Sequence, residues 1–252
     1  MTALRCVSMS TLGPAILKAL QRVDAERALR DGNPALGQRV HALKLYQQRR
    51  FAHGYADLLA DARYGGAARF FLEELYGPRD YRERDAQFVR VVPALVRLFP
   101  EEVVRTVVAL SELHALSESL DTAMALALAG EDVDAAAYVR AWQSTARAQD
   151  RERQIELTLE VGEALDAYTR NPWLRNSLRM MRGPARVAGL SQLQHFLEAG
   201  FDTFRAMRGA ASFLAMIGQR ERALKDGLFA ADTVACVTAA SRSSDGPLGQ
   251  LP

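Results

Sequence analysis

The 252 residues predict an all-α protein, a single multi-helix domain of orthogonal or bundle-like form with about eight to ten helices. Three observations carry that expectation. Apolar residues recur at spacings of three and four along nearly the whole chain, which places them on one face of a helix. The runs end at Gly and Pro, the residues that terminate helices. No stretch sustains the alternation of a strand bounded by hairpin turns.

Residues 1–12 read as a flexible N-terminus, 13–240 as the helical domain, and 241–252, rich in Ser, Gly and Pro, as a disordered tail. Gly13-Pro14 is expected to open a helix through Ile16, Leu20 and Val23 that ends near Asp31-Gly32-Asn33-Pro34. A longer helix follows with Val40, Leu43, Phe51, Tyr55 and Leu58 on its apolar face, until Gly65-Gly66 breaks it. Phe70, Phe71, Leu72, Leu75 and Tyr76 then form an aromatic-rich helix that Gly77-Pro78 stops.

Asp80 and Glu83 stand at the spacing of a capping box, and a charge-dense helix begins there. Pro93 lies inside its apolar run and predicts a kink or a split. Pro100-Glu101-Glu102 starts the next helix, which should reach about Ala129. Asp132 or Asp134 caps a helix burying Tyr138, Val139 and Trp142. The charged patch from Arg147 to Arg153 fits either a loop or a continuous helix. Asn171-Pro172 reads as N-cap and first helical residue, and Gly183-Pro184 as a stop. The last ordered run, from Leu193 to Ile217, is interrupted at Gly200 and Gly209.

Composition works mainly by exclusion. A net charge of +2 gives no global electrostatic case for nucleic acid or an anionic membrane. Cys6 and Cys236, near opposite ends, make neither a disulfide framework nor a metal cluster, and a reducing cytoplasm fits best. There is no signal-peptide pattern, and no uncharged apolar run approaches the roughly 20 residues that span a bilayer.

Two places concentrate polar chemistry. Between Arg79 and Arg90 lie four arginines and three acids, among them Asp80, Arg84 and Asp85. They read either as a solvated, salt-bridged helix start or as a buried Arg–Asp network that locks the corner or takes an anion. On the helix after Pro100, His114, Ser117 and Asp121 form a polar stripe beside a packed one. His114 there is either a satisfied core histidine or the wall of a ligand cavity. His195 and Glu198 run opposite to the Glu-x-x-His order of helical di-iron sites. No phosphate loop, nucleophile elbow or His-Glu-x-x-His occurs. The aromatics Phe196, Phe201, Phe204 and Phe213 read as core or, if exposed, as an interface.

Two resemblances add expectations. The segment Ala109-Leu110-Ser111-Glu112-Leu113-His114-Ala115 is similar to that around the haem-binding histidine of animal globins, which would imply haem on His114. No distal histidine accompanies it in the preceding helix. The run from Phe70 to Asp80, with Arg84-Asp85 and Leu113 to Glu118, resembles an uncharacterised family of bacterial all-helical proteins with a Phe-Phe-Leu-x-x-Leu-Tyr-Gly-Pro-x-Asp signature. That resemblance implies the fold and no activity. The expectation is a cytoplasmic helical protein without a catalytic signature and without a cofactor, which binds a protein partner or itself as regulator or scaffold. The alternative is a small-molecule or haem-binding protein with its pocket near His114.

Overall fold

The computed structural model describes residues 9–75, 78–130, 132–242 and 246–252. Its elements are helical, with no strand among the described residues. In order they are α1 Met9–Asp31, α2 Pro34–Gly54, α3 Ala56–Ala60, α4 Gly65–Phe70, a π turn Phe71–Leu75, α5 Arg82–Leu98 and α6 Glu101–Ala127. The second half comprises α7 Ala135–Ser144, α8 Ala148–Thr169, α9 Pro172–Met180, α10 Arg182–Val187, α11 Ser191–Ala206, α12 Ala211–Ala230, α13 Thr233–Arg242 and a 3-10 turn Pro247–Gln250. The helices outnumber the eight to ten expected, in part because the helix read from Val40 past Tyr55 divides at Tyr55, and because Gly183-Pro184, expected as a stop, lies inside a further short helix, α10.

Local chemistry sets most boundaries. Asn33, Asp134 and Asn171 each accept a backbone N–H of the helix they precede, from Leu36, Ala137 and Trp173. The charged patch after Arg147 proves to be the first turn of α8, severed from α7 where Ala146 takes φ 51°.

Several expectations need correction. Helix α1 starts at Met9, so Gly13-Pro14 lies inside it. The Asp80–Glu83 capping box does not form: the Asp80 carboxylate accepts from the backbone of Arg82, and Tyr81 is the N-cap. Pro93 does not split α5. The carbonyl it frees belongs to Val89, an exposed residue, so water can satisfy it. Gly200 does not interrupt α11; a Cβ there would lie 3.2 Å from the Phe70 ring, so the glycine serves a close helix approach. Of the stretch read as a disordered tail, residues 243–245 lie outside the described residues and the end from Pro247 packs instead. Leu251 is buried beside Tyr46 and Leu224, and the Gln250 amide bonds Arg50 and the Arg220 carbonyl. Residues 1–8 of the expected flexible N-terminus, with Cys6, and Tyr76 and Gly77 lie outside the described residues.

Gly65 is similarly constrained, since a Cβ there would meet the Leu59 carbonyl oxygen at 2.8 Å. Backbone cannot yield as a side chain can, so Gly65→Ala should cost about 1–3 kcal/mol in a denaturant titration. Gly66→Ala, with open space at the same atom, should not destabilise.

The apolar interior is divided. One cluster joins Phe51, Tyr55, Phe71 and Phe213; another joins Tyr46, Tyr138, Trp142 and Leu224. A third sets Ile16 and Leu20 against Val92 and Val104, and a fourth packs Leu116 and Leu120 on Leu157 and Val161. α6 runs through the middle, packing on α1, α2, α7 and α8.

Candidate functional site

Where those clusters meet, the interior is polar. His114, Ser117, Glu118 and Asp121 recur at three- and four-residue steps, hence on one face of α6, and all four line a cavity of about 170 Å³. From α5 come Arg84 and Asp85, from α2 Lys44 and Arg50, and from α8 Arg151. Leu20, Phe88, Val107, Leu110 and Leu193 supply apolar wall. Phe71 and Glu74, on the π turn, also face it, and such local departures from the α-helix often mark functional sites.

Asp85 organises one part of the cavity. Arg27 Nη2 donates to its Oδ2 at 2.6 Å, and His114 Nε2 lies 2.8 Å from the same oxygen. Burial pushes the Asp85 carboxyl up, but the hydrogen bond and field of His114, with Arg84 and Arg27, outweigh it and hold the pKa below the usual value. An ionised carboxylate only accepts, so in this contact the His114 Nε2–H is the donor. Beside this pair the Arg84 guanidinium lies over the rings of Tyr81 and Phe196, at 4.1 and 4.5 Å, with Nε 3.6 Å from Asp85 Oδ1. Stacking fixes its plane without using all its donors.

A second group surrounds Lys44, which donates to Glu118 Oε1 at 2.7 Å and lies 3.7 Å from Asp121 Oδ2. Arg30 binds the other Glu118 oxygen, its backbone carbonyl and Thr122. The two carboxylates diverge as a result. Burial would raise Glu118, yet Lys44 and Arg30 lower it to about 2. Burial and the Glu118 charge push Asp121 up against the more distant Lys44 and a 2.9 Å bond from Gln47. Glu221 is held by both Nη atoms of Arg50, at 3.0 and 3.2 Å, and by the Tyr55 hydroxyl at 2.7 Å. Burial also raises Tyr138, whose hydroxyl feels both Arg50 and Arg151.

The domain of unknown function DUF8198 matches residues 26–235. The chain belongs to the DUF8198 family. The matched region contains every cavity-lining residue except Leu20. No curated protein and no solved structure matches the chain.

In this DUF8198 chain the residues singled out by sequence separate cleanly. Arg84, Asp85, His114 and Asp121 converge on the cavity. Arg79, Asp80 and Arg90 do not: Arg79 is exposed and pairs with the cavity-lining Glu74, Asp80 is exposed, and Arg90 donates to the Ala188 carbonyl. Sequence reading missed Lys44, Arg50, Glu118, Arg151 and Glu221, each a charged residue on an amphipathic helix. Phe201, Phe204 and Phe213 are core, and Phe196 walls the cavity. Among the described residues no group of three or more His, Cys, Asp or Glu is placed to hold a metal, and no helix is long and apolar enough to cross a membrane.

Proposed function

We propose that the protein binds a small amphiphilic molecule in the central cavity, with Arg84 and the Asp85–His114 pair meeting its polar end and the Leu20, Val107 and Leu110 wall its apolar body. One observation supports this above all: residues of the consecutive helices α5 and α6 line one shared cavity beside a stacked guanidinium. Its volume, about 170 Å³, is near that of an engineered cavity of about 150 Å³ that takes benzene, so the ligand is of single-ring size. Haem does not suit this site. A porphyrin carries four such rings, and the His114 Nε2 is engaged by Asp85.

Phe201, Phe204 and Phe213 lie in the core and Phe196 in the cavity wall, so these aromatics lend the scaffold reading no support. A reducing, cytoplasmic setting agrees with the buried free thiol of Cys236. The bacterial source and the aromatic signature belong to the same reading.

The test is to denature purified protein, identify small molecules released by mass spectrometry, and titrate them back. A stoichiometric species of that size should raise the melting temperature of wild type, and its affinity should fall at least tenfold in His114→Ala, the loss of one hydrogen bond to a charged group. No released species, together with no thermal shift across a panel of single-ring acids and amines, would refute the proposal.

A further inference from the structure

Charge in this chain is segregated in a way its total conceals. From Ala167 to Leu197 there are five arginines, at 170, 175, 179, 182 and 186, and no Asp or Glu. Set against a chain total of +2, that segment leaves the remainder at −3. The same segment carries exposed apolar side chains. Trp173 is 56% exposed, Met180 79%, Met181 46% and Val187 92%. Trp173 and Met180 are seven residues apart, hence on one face of α9, which buries no residue fully.

The surface is built rather than loose. The Asn171 side chain accepts the Trp173 N–H at 3.0 Å and fixes the start of α9. Gly189, at φ 67°, ends α10. Both helices pack on α11. Acids of neighbouring elements answer part of the charge: Asp166 pairs with Arg170, Glu198 with Arg182 at 2.6 Å, and Asp202 lies 3.8 Å from Arg175. Arg179 and Arg186 have no carboxylate partner among the described residues, and they flank Met180, Met181 and Val187.

We propose that α9 and α10 form a docking face for an anionic phospholipid surface. Cationic side chains alternating with exposed Trp, Met and Val suit the headgroup boundary, where a charged tip stays wet while an apolar body enters the acyl region. Trp is the side chain best matched to that boundary. A second copy is the weaker occupant, because a two-fold contact would set like-charged faces against each other. Neither helix contributes a residue to the central cavity, so the proposal stands apart from the reading of that site.

The full chain would be sedimented with vesicles of phosphatidylglycerol and phosphatidylcholine, and with phosphatidylcholine alone, while tryptophan emission is recorded. Trp142 is buried, so Trp173 should dominate any change. The expected result is salt-sensitive binding to the anionic vesicles only, with a blue shift that Trp173→Phe removes. Removing a surface arginine should weaken binding about fivefold, so Arg179→Gln with Arg186→Gln should weaken it about 25-fold. Both side chains are exposed, so the fold should persist. No binding at low salt, equal binding to neutral vesicles, or binding insensitive to the double change would overturn the proposal. So would capture by polyglutamate or DNA but not by vesicles, or a dimer that shields Trp173.

Discussion

Glu118→Ala should lower the melting temperature by roughly 6–20 °C. The side chain is 6% exposed and answers two cations, Arg30 and Lys44, on two different helices. A buried ion pair adds little over an apolar replacement, but deleting one member leaves the other charge without compensation, at about 3–5 kcal/mol. For a domain of this size each kcal/mol moves the transition by about 2–4 °C. Lys44 could recover part of the loss by moving closer to Asp121.

The same residue sets an acid limb. Glu118 has a folded pKa of about 2 against an ordinary 4.5, so its contribution is complete above about pH 4.5 and disappears as pH falls toward 2. That interval corresponds to about 3 kcal/mol. Asp85, also lowered, adds in the same direction. Asp121 acts with opposite sign, since a raised carboxyl favours the folded state as it takes up its proton. Urea midpoints between pH 6 and about pH 3 should therefore fall steeply in wild type and less in Glu118→Gln. Parallel curves for the two proteins would show that Glu118 is not the source.

Asp85→Ala is the second large effect, and it differs in kind. Arg27, 9% exposed at its side chain, would lose its close carboxylate, for another 3–5 kcal/mol. His114 would lose the acceptor of its Nε2–H, so ligand affinity should fall along with stability. His114→Ala should reduce affinity with a smaller thermal loss, because Arg27 still meets Asp85. Calorimetry and ligand titration on the two variants separate these outcomes. If Asp85→Ala melts like wild type, the Arg27–Asp85 contact is not the tie described above.

The helices, most of their caps and the polar stripe of α6 were legible because each is local. Asn171-Pro172 announces a helix start within two residues, and His114, Ser117 and Asp121 share a face by spacing alone. What spacing cannot show is which way a charge points once several helices meet. Lys44, Arg50 and Glu118 look like solvated positions in their own helices; only the packing of α2 on α6 puts them inside. Arg79, Asp80 and Arg90 erred the other way, grouped with Arg84 and Asp85 by contiguity although a helix turns such neighbours to different sides. The tail misled for a related reason: Ser and Pro dominate its composition, yet Leu248 and Leu251 suffice to seat it.

That seat reaches further than its size suggests. Gln250 clasps Arg50 at 3.2 Å, and Arg50 grips Glu221 at the cavity wall. Loss of the Gln250 side chain would thus slacken the chamber from behind, with every cavity-lining side chain still in place.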